Sequence, residues 1–190
     1  MTTQYYTASS LDGYIATEDD SLEWLFPLAD LEQTTYSSFI SEVGAIAMGS
    51  STYEWLLRHA VKLGTVDEGV WPYSQPTWIF TTRKLDVPAG ADIRFAQGDI
   101  QHVHAQMKEV ANTKNIWVMG GGELAGQFFD AGLLDELIVQ IGSVSLGRGK
   151  SVFPRRVFSP TLRLTSVNHI SEGMAELRYR IDRGCQAGPA

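Results

Sequence analysis

Three consecutive glycines, Gly120, Gly121 and Gly122, are the residues of this 190-residue chain whose spacing most clearly suggests chemistry. They follow residues 115–119, an apolar run typical of a buried strand, and precede residues 123–131, which are typical of a helix. Glycines at such a turn let backbone amides approach a phosphate closely, and the helix N-terminus adds a favourable dipole. The cluster therefore suggests phosphate binding; tight packing of strand against helix is the alternative.

The overall charge limits how an anionic ligand could be held. The chain has a formal net charge of −7. Nucleic acid and anionic lipid surfaces both require clustered Lys and Arg, so this acidic balance argues against both as partners. An anionic small molecule would have to be bound locally, by backbone amides, helix N-termini and a few placed cations.

Length and composition are those of one ordinary soluble domain. The chain is 44% hydrophobic and 19% charged, and no apolar run approaches the roughly 20 residues that span a bilayer. The N-terminus has no basic stretch followed by an apolar core, so we expect neither a signal peptide nor a transit peptide. We therefore expect one cytoplasmic domain over residues 1–183, with a disordered tail at residues 184–190.

The elements that would position the glycines alternate between strands and helices along the chain. We predict strands over residues 4–9, 45–48, 77–81, 115–119 and 134–141, and an antiparallel pair over residues 162–169 and 175–182. We predict helices over residues 31–43, 52–58 and 123–131, a further helix capped by Asp99, and a polar loop over residues 63–74. This alternation predicts an α/β fold with a mostly parallel sheet and an antiparallel edge.

Four segments, taken in order, resemble one known family. They are residues 10–16 (SLDGYIA), 48–54 (MGSSTYE), 119–122 (MGGG) and 132–137 (GLLDEL). Their order and spacing are similar to those of the dihydrofolate-reductase-like family, and within it to the reductase domain of the bifunctional riboflavin deaminase-reductase. The resemblance implies a three-layer fold with a central mixed, mostly parallel sheet and flanking helices, and often a homodimer.

The resemblance also implies NADPH as hydride donor and assigns two cradles of backbone amides to its phosphates. Each cradle joins a strand end to a helix start. The first cradle consists of Gly49, Ser50, Ser51 and Thr52. The second consists of Gly120, Gly121, Gly122, Glu123 and Leu124.

A third part of the implied cofactor site lies at Thr82, Arg83 and Lys84, which follow a predicted strand end where the family binds the adenosine 2′-phosphate. A guanidinium there favours NADPH over NADH because it meets the phosphate directly. A solvated turn is the alternative, because basic side chains are mostly exposed. Many relatives carry an arginine where Ser50 stands, so one cofactor contact is missing or replaced.

Hydride transfer also requires a proton source, and two carboxylates are candidate catalytic residues. Asp30 resembles the substrate-binding carboxylate of dihydrofolate reductases, with a helix N-cap as the alternative. Asp12 lies in the turn that would face the nicotinamide, with a purely turn-forming role as the alternative. Tyr14 and Glu54 are weaker candidates.

We therefore expect a cytoplasmic NADPH-dependent reductase acting on a pterin-like or ribosylaminopyrimidine-like small molecule, of the 5-amino-6-(5-phosphoribosylamino)uracil reductase type. The sequence has no Cys/His cluster with ligand spacing, so we predict no metal site and no zinc deaminase step. A dihydrofolate-type reductase of another substrate and a non-catalytic nucleotide-binding module remain the alternatives.

Overall fold

The computed structural model of the chain describes residues 1–28, 34–59, 71–158 and 160–182. The strands in these ranges are β1 (Thr3–Ser10), β2 (Tyr14–Ala16), β3 (Val43–Gly49), β4 (Thr77–Phe80), β5 (Ile93–Ala96), β6 (Asn115–Gly120), β7 (Glu136–Gly142), β8 (Lys150–Ser151), β9 (Leu162–Ser171) and β10 (Met174–Ile181). The helices are α1 (Tyr36–Ser41), α2 (Ser50–His59), α3 (Ile100–Ala111) and α4 (Gly122–Asp130). Within the described ranges, no helix has the length and apolar character needed to cross a membrane.

Eight strands form one sheet in the order β5-β4-β3-β6-β1-β7-β10-β9. Every neighbouring pair from β5 to β7 is parallel, whereas β10 pairs antiparallel with both β7 and β9. Helices connect several of the parallel strands. Two parallel strands start at the same end of the sheet, so the chain must cross back from the end of one strand before it can begin the next. The predicted α/β fold with a mostly parallel sheet and an antiparallel edge is confirmed.

The sheet has a hydrophobic core on each face. Tyr5 and Tyr6 are neighbours in β1, and their side chains point to opposite faces because side chains alternate along a strand. Tyr5 packs in the cluster that includes side chains of α3 and α4, and Tyr6 in the cluster that includes side chains of α1 and α2. The molecule therefore has three layers, and packing on both faces fixes the helices whose N-termini follow the strands.

The helix predicted for residues 31–43 ends earlier than its spacing suggests. α1 ends at Ser41, and Val43 begins β3, where it is buried and lies opposite Asn115 of β6. Sheet pairing at a buried β-branched residue outweighs its place in a helical pattern. The start of that prediction, residues 31–33, lies outside the described residues.

The sequence does not predict β2, β5 and β8. The strands β2 and β8 have three and two residues and form a separate antiparallel pair, too short to show an alternating pattern. Of the polar loop predicted for residues 63–74, residues 71–74 have no helix or strand, but the rings of Trp71 and Tyr73 pack with the core rather than lying in solvent. Residues 63–70 and the predicted tail at residues 184–190 lie outside the described ranges.

Candidate active site

Six parallel strands, β5 to β7 in the sheet order, end at the same edge of the sheet, here called the carboxyl edge. Gly49 ends β3 and lies beside Phe80 of β4, and the preceding Met48 lies beside Gly120, which ends β6. Ligands of α/β sheets bind at this edge, because helix N-termini follow the strand ends there. The structure thus brings the two predicted glycine cradles side by side.

The space between the two cradles is lined by backbone. A methyl group added to Gly49 would lie 3.8 Å from the carbonyl oxygen of Gly120 and 3.9 Å from the amide nitrogen of Gly121. One added to Gly120 would lie 3.6 Å from the hydroxyl oxygen of Thr52. A side chain at Gly49 would therefore occupy this space, which the N-termini of α2 and α4 both adjoin. Such a cradle fits the pyrophosphate of a dinucleotide.

The other members of the second cradle have side-chain roles elsewhere. A methyl group on Gly122 would lie 2.5 Å from the carbonyl oxygen of Val152, so this glycine is required for close packing of the β8 segment against α4. Glu123 forms a two-pronged ion pair with Arg155, with both distances 2.9 Å, and Leu124 is buried in the core. Only the backbone amides at this helix start remain available to a ligand.

Arg83 and its neighbours Thr82 and Lys84 are exposed just after β4, at the carboxyl edge. Arg83 donates from Nη1 and Nη2 to the two carboxylate oxygens of Glu54 in α2, at 3.2 and 2.6 Å. This ion pair lowers the pKa of Glu54, which is therefore ionised at neutral pH. The guanidinium thus lies beside α2, the helix that the first cradle opens, and it already has an anionic partner.

Asp12 is the hydrogen-bonding centre of a turn. Its carboxylate accepts hydrogen bonds from the hydroxyls of Ser10 (2.6 Å) and Ser145 (2.9 Å), and from the amides of Leu146 (3.0 Å) and Gly147 (2.7 Å). These bonds, the one from Ser10 foremost, hold the pKa of Asp12 far below its usual range. A carboxyl that stays ionised is a poor proton donor at neutral pH, so the geometry favours the turn-forming alternative for Asp12.

We expect Asp12→Asn to loosen the loop at residues 145–147, because an amide nitrogen cannot accept the bonds that one carboxylate oxygen now accepts. Limited proteolysis should cut this loop faster in the variant, and its melting temperature should fall. Asp19→Asn is the control, since that carboxylate is bonded to Thr17 within its own turn and should change neither measurement. If proteolysis were unchanged but the expected reductase activity were lost, Asp12 would instead be the proton donor.

The second candidate acid, Asp30, lies outside the described residues, and its predicted role stays a prediction. The segment before it is described, and Leu28 and Trp24 lie over Gly142 at the end of β7. A methyl group on Gly142 would lie only 2.8 Å from Leu28 and 3.1 Å from Trp24. The segment thus covers the carboxyl edge on the face that carries α1 and α2.

A cavity of about 420 Å³ lies between this covering segment and α2. Phe26 and Trp55 line it with ring centroids 6.4 Å apart and planes at 28°, and the Trp55 ring also stacks on His59 at 4.6 Å. The cavity also carries charges of both signs, from Asp19, Asp20, Glu23, Arg58 and His59. Its volume lies in the range of small-molecule sites, and most of the residues that line it are polar or charged.

Sequence reasoning missed a buried polar network on the same face of the sheet. Glu176 of β10 is fully buried, and it accepts hydrogen bonds from the Thr35 hydroxyl, from Gln140 Nε2 (3.1 Å) and from Arg178 Nε (2.7 Å). Gln140 also donates to the Tyr6 hydroxyl at 2.7 Å. The alternation of β10 predicts which residues face inward, but a glutamate in such a pattern gives no sign of its partners.

The network keeps a negative charge inside the protein. Burial alone raises the pKa of Glu176, but the hydrogen bonds from Thr35, Arg178 and Gln140 outweigh burial and leave the pKa below its ordinary value. Burial raises the pKa of Tyr6 to about 12, so its hydroxyl stays protonated at neutral pH. Groups with shifted pKa values are common at functional sites. Glu176 lies opposite Gln140, two residues before Gly142, the end of β7 that Trp24 and Leu28 cover.

Comparisons with known proteins agree with this geometry. The family model of the RibD C-terminal domain matches residues 2–175. Uncharacterized protein YwjB of Bacillus subtilis (strain 168) is 32% identical over 177 residues, 93% of this chain and 96% of that protein. The diaminohydroxyphosphoribosylaminopyrimidine deaminase/5-amino-6-(5-phosphoribosylamino)uracil reductase of Thermotoga maritima superposes with a TM-score of 0.66 at 17% identity, over 95% of this chain and 56% of that one. Dihydrofolate reductase of Enterococcus faecalis, solved with NADP(H), superposes with a TM-score of 0.64 at 15% identity, over 95% of this chain and 96% of that one.

The sheet order, the antiparallel edge and these structural neighbours define a protein of the dihydrofolate-reductase-like fold. The match over residues 2–175 is narrower: this chain belongs to the family of RibD C-terminal domains. The resemblance stated from the four sequence segments is thereby confirmed. The two structural neighbours are below 25% identity and show the fold alone.

Proposed function

We propose that this protein is an NADPH-dependent reductase of a small heteroaromatic molecule, pterin-like or ribosylaminopyrimidine-like. The observation that carries the proposal is the pair of glycine cradles. Gly49 and Gly120 end adjacent parallel strands, and a helix N-terminus follows each of them. Membership in a family named for a riboflavin-biosynthesis domain supports the reductase class, and the neighbour solved with NADP(H) supports the cofactor.

The cofactor would lie across the carboxyl edge. Backbone amides of the two cradles would hold the pyrophosphate, and Arg83 with Lys84 would hold the 2′-phosphate. Bound NADPH supplies a hydride to an electrophilic carbon of the substrate. Ile15, whose side chain lies 3.7 Å from where a methyl group on Gly121 would be, borders this space and would help to exclude water.

The substrate would lie on the face of the sheet that carries α2. The cavity that Phe26 and Trp55 line would receive the ring, next to the charged side chains of Asp19, Asp20 and Arg58. The Glu176 carboxylate places a fixed negative charge in the wall of the same face, and Thr35 holds a proton toward Glu176 Oε2. Because Glu176 is fully buried and already hydrogen-bonded, it would act on a bound ring through its negative charge, which stabilises positive charge on that ring.

Titration with NADPH and, separately, NADH tests this proposal, followed by nucleotide fluorescence or by the rise in melting temperature that accompanies binding to the folded state. We expect NADPH to bind more tightly. Arg83→Ala should weaken NADPH about tenfold, the effect of losing one charged hydrogen-bonding group, and should leave NADH unchanged. Absence of binding by either nucleotide to the unaltered protein would overturn the reductase proposal.

One observation favours a second candidate, a nucleotide-binding module without catalysis. Asp12 is committed to its turn, and Ser50 carries no charge where many relatives carry an arginine. Under this alternative the protein binds NADPH but oxidises it with no member of a panel of pterins and ribosylaminopyrimidines. Oxidation of NADPH with any one of them would eliminate the alternative.

A further inference from the structure

The ion pair between Arg83 and Glu54 lies where the proposed function puts the 2′-phosphate of NADPH. Arg83 uses Nη1 and Nη2, its end-on pair of donors, to bind both oxygens of Glu54. The same planar fork matches phosphate oxygens as well as carboxylate oxygens. A phosphate that takes these donors must therefore displace Glu54 or share the guanidinium with it.

We propose that Glu54 determines how strongly the protein discriminates between NADPH and NADH, by competing with the 2′-phosphate for Arg83. This inference rests on the proposed function and goes beyond it in naming the residue that sets cofactor selectivity. NADH has no 2′-phosphate and leaves the ion pair intact. The competition therefore weakens the binding of NADPH alone. It reduces the preference for NADPH over NADH that Arg83 provides.

The local charges support competition. Arg83 and Lys84 follow the end of β4 and Arg58 of α2 also acts on Glu54, which neutralises one of these three positive charges. Glu54 is ionised at neutral pH because Arg83 lowers its pKa, so protonation does not relieve the competition. Ser50, the first residue of α2, is uncharged, so it does not replace the positive charge that Glu54 neutralises.

The geometry also limits the size of the effect. The side chains of Arg83 and Glu54 are 53% and 32% exposed, and exposed ion pairs contribute little because water screens them. A phosphate can therefore displace the carboxylate at modest cost. We expect Glu54→Gln to tighten NADPH about three- to fivefold and to change NADH less than about twofold.

The experiment is a titration of the full chain and its Glu54→Gln variant with NADPH and with NADH, read as dissociation constants from nucleotide fluorescence. Asp92→Asn is the matched control. It breaks a similar exposed ion pair, in which Arg94 donates to Asp92 from Nε and Nη2, both at 2.9 Å. Asp92 lies just before β5, at the amino ends of the parallel strands and therefore away from the carboxyl edge. The control should leave the ratio of the two dissociation constants unchanged.

A second pair of variants separates competition from simple repulsion between Glu54 and the phosphate. In an Arg83→Ala background, Glu54→Gln should no longer tighten NADPH, because there is no guanidinium to release. Persistent tightening in that background would overturn the inference, as would an unchanged or weakened NADPH affinity in the single variant. Binding of neither nucleotide to the unaltered protein would overturn the proposed function and this inference together, whereas NADPH binding with an unchanged ratio would overturn the inference alone.

Discussion

Gly49→Leu is expected to weaken NADPH binding by about 100-fold or more, which corresponds to roughly 2.7 kcal/mol. The added side chain would project into the space between the two cradles, where the nearest atoms are Gly120 O and Gly121 N at 3.8 and 3.9 Å from its Cβ. Those distances are ordinary contacts for the Cβ, and the rest of the leucine would extend into the space between the cradles. The melting temperature without nucleotide should stay within about 2 °C of that of the unaltered protein.

The matched variant is Gly122→Ala, which adds one methyl group at the start of α4, against Ser151 and Val152 rather than into the space between the cradles. Overpacking of this kind costs about 1–3 kcal/mol, so this variant should melt at a lower temperature. Any folded fraction keeps the space between the cradles open, so its NADPH affinity should fall far less than that of Gly49→Leu. If Gly49→Leu bound NADPH normally, the space between the cradles would not be the pyrophosphate site.

Glu176→Ala is expected to lower the free energy of unfolding by roughly 2–4 kcal/mol, because each buried donor left without its acceptor costs about 1–3 kcal/mol. The substitution leaves Gln140 Nε2 and the Thr35 hydroxyl without their buried acceptor and Arg178 without its counter-charge. Urea unfolding measures the change. Glu172→Ala, in the exposed turn between β9 and β10, is the control and should change stability by less than about 0.5 kcal/mol.

The contribution of Glu176 should also depend on pH in a defined direction. Its folded-state pKa is depressed, so the ionised carboxylate stabilises the fold above its unfolded-state pKa of about 4.3, and this contribution is lost as the pH falls toward the folded-state value. The difference in unfolding free energy between the unaltered protein and Glu176→Gln should thus shrink below about pH 4. A difference that grows at acid pH would mean that the buried group is protonated in the folded protein.

The long, strongly patterned elements could be predicted from the sequence. The strand at residues 115–119 and the helix that Asp99 caps both have apolar spacing that continues over several turns or alternations, and the structure has them at these places. Val43 could not be placed, because its spacing suits a helix and only the pairing with β6 decides otherwise. The pair of β2 and β8 depends on contacts between residues more than 130 positions apart, which local patterns do not record.

The candidate site was predictable where it consists of backbone. A glycine directly after an apolar run is visible in the sequence as a strand end. Gly49 and Gly120 are such residues, and they lie side by side at the carboxyl edge. Side-chain partnerships were not predictable. Nothing near Asp12 in the sequence shows that Leu146 and Gly147 donate to it, and Glu54 gives no sign of its pairing with Arg83. These contacts form only after distant segments have packed.

The central position of β1 has a consequence for how the molecule assembles. β1 is the first strand of the chain, yet its two neighbours are β6 and β7, with Thr3 opposite Ile116 and Gln4 opposite Glu136. During synthesis this strand must wait for more than a hundred further residues before either partner exists. Until then β1 has no strand on either side, and pairings this distant in sequence form slowly. Formation of the parallel part of the sheet is therefore tied to the synthesis of β7, and truncation before that point would leave the first strand without one of its two neighbours.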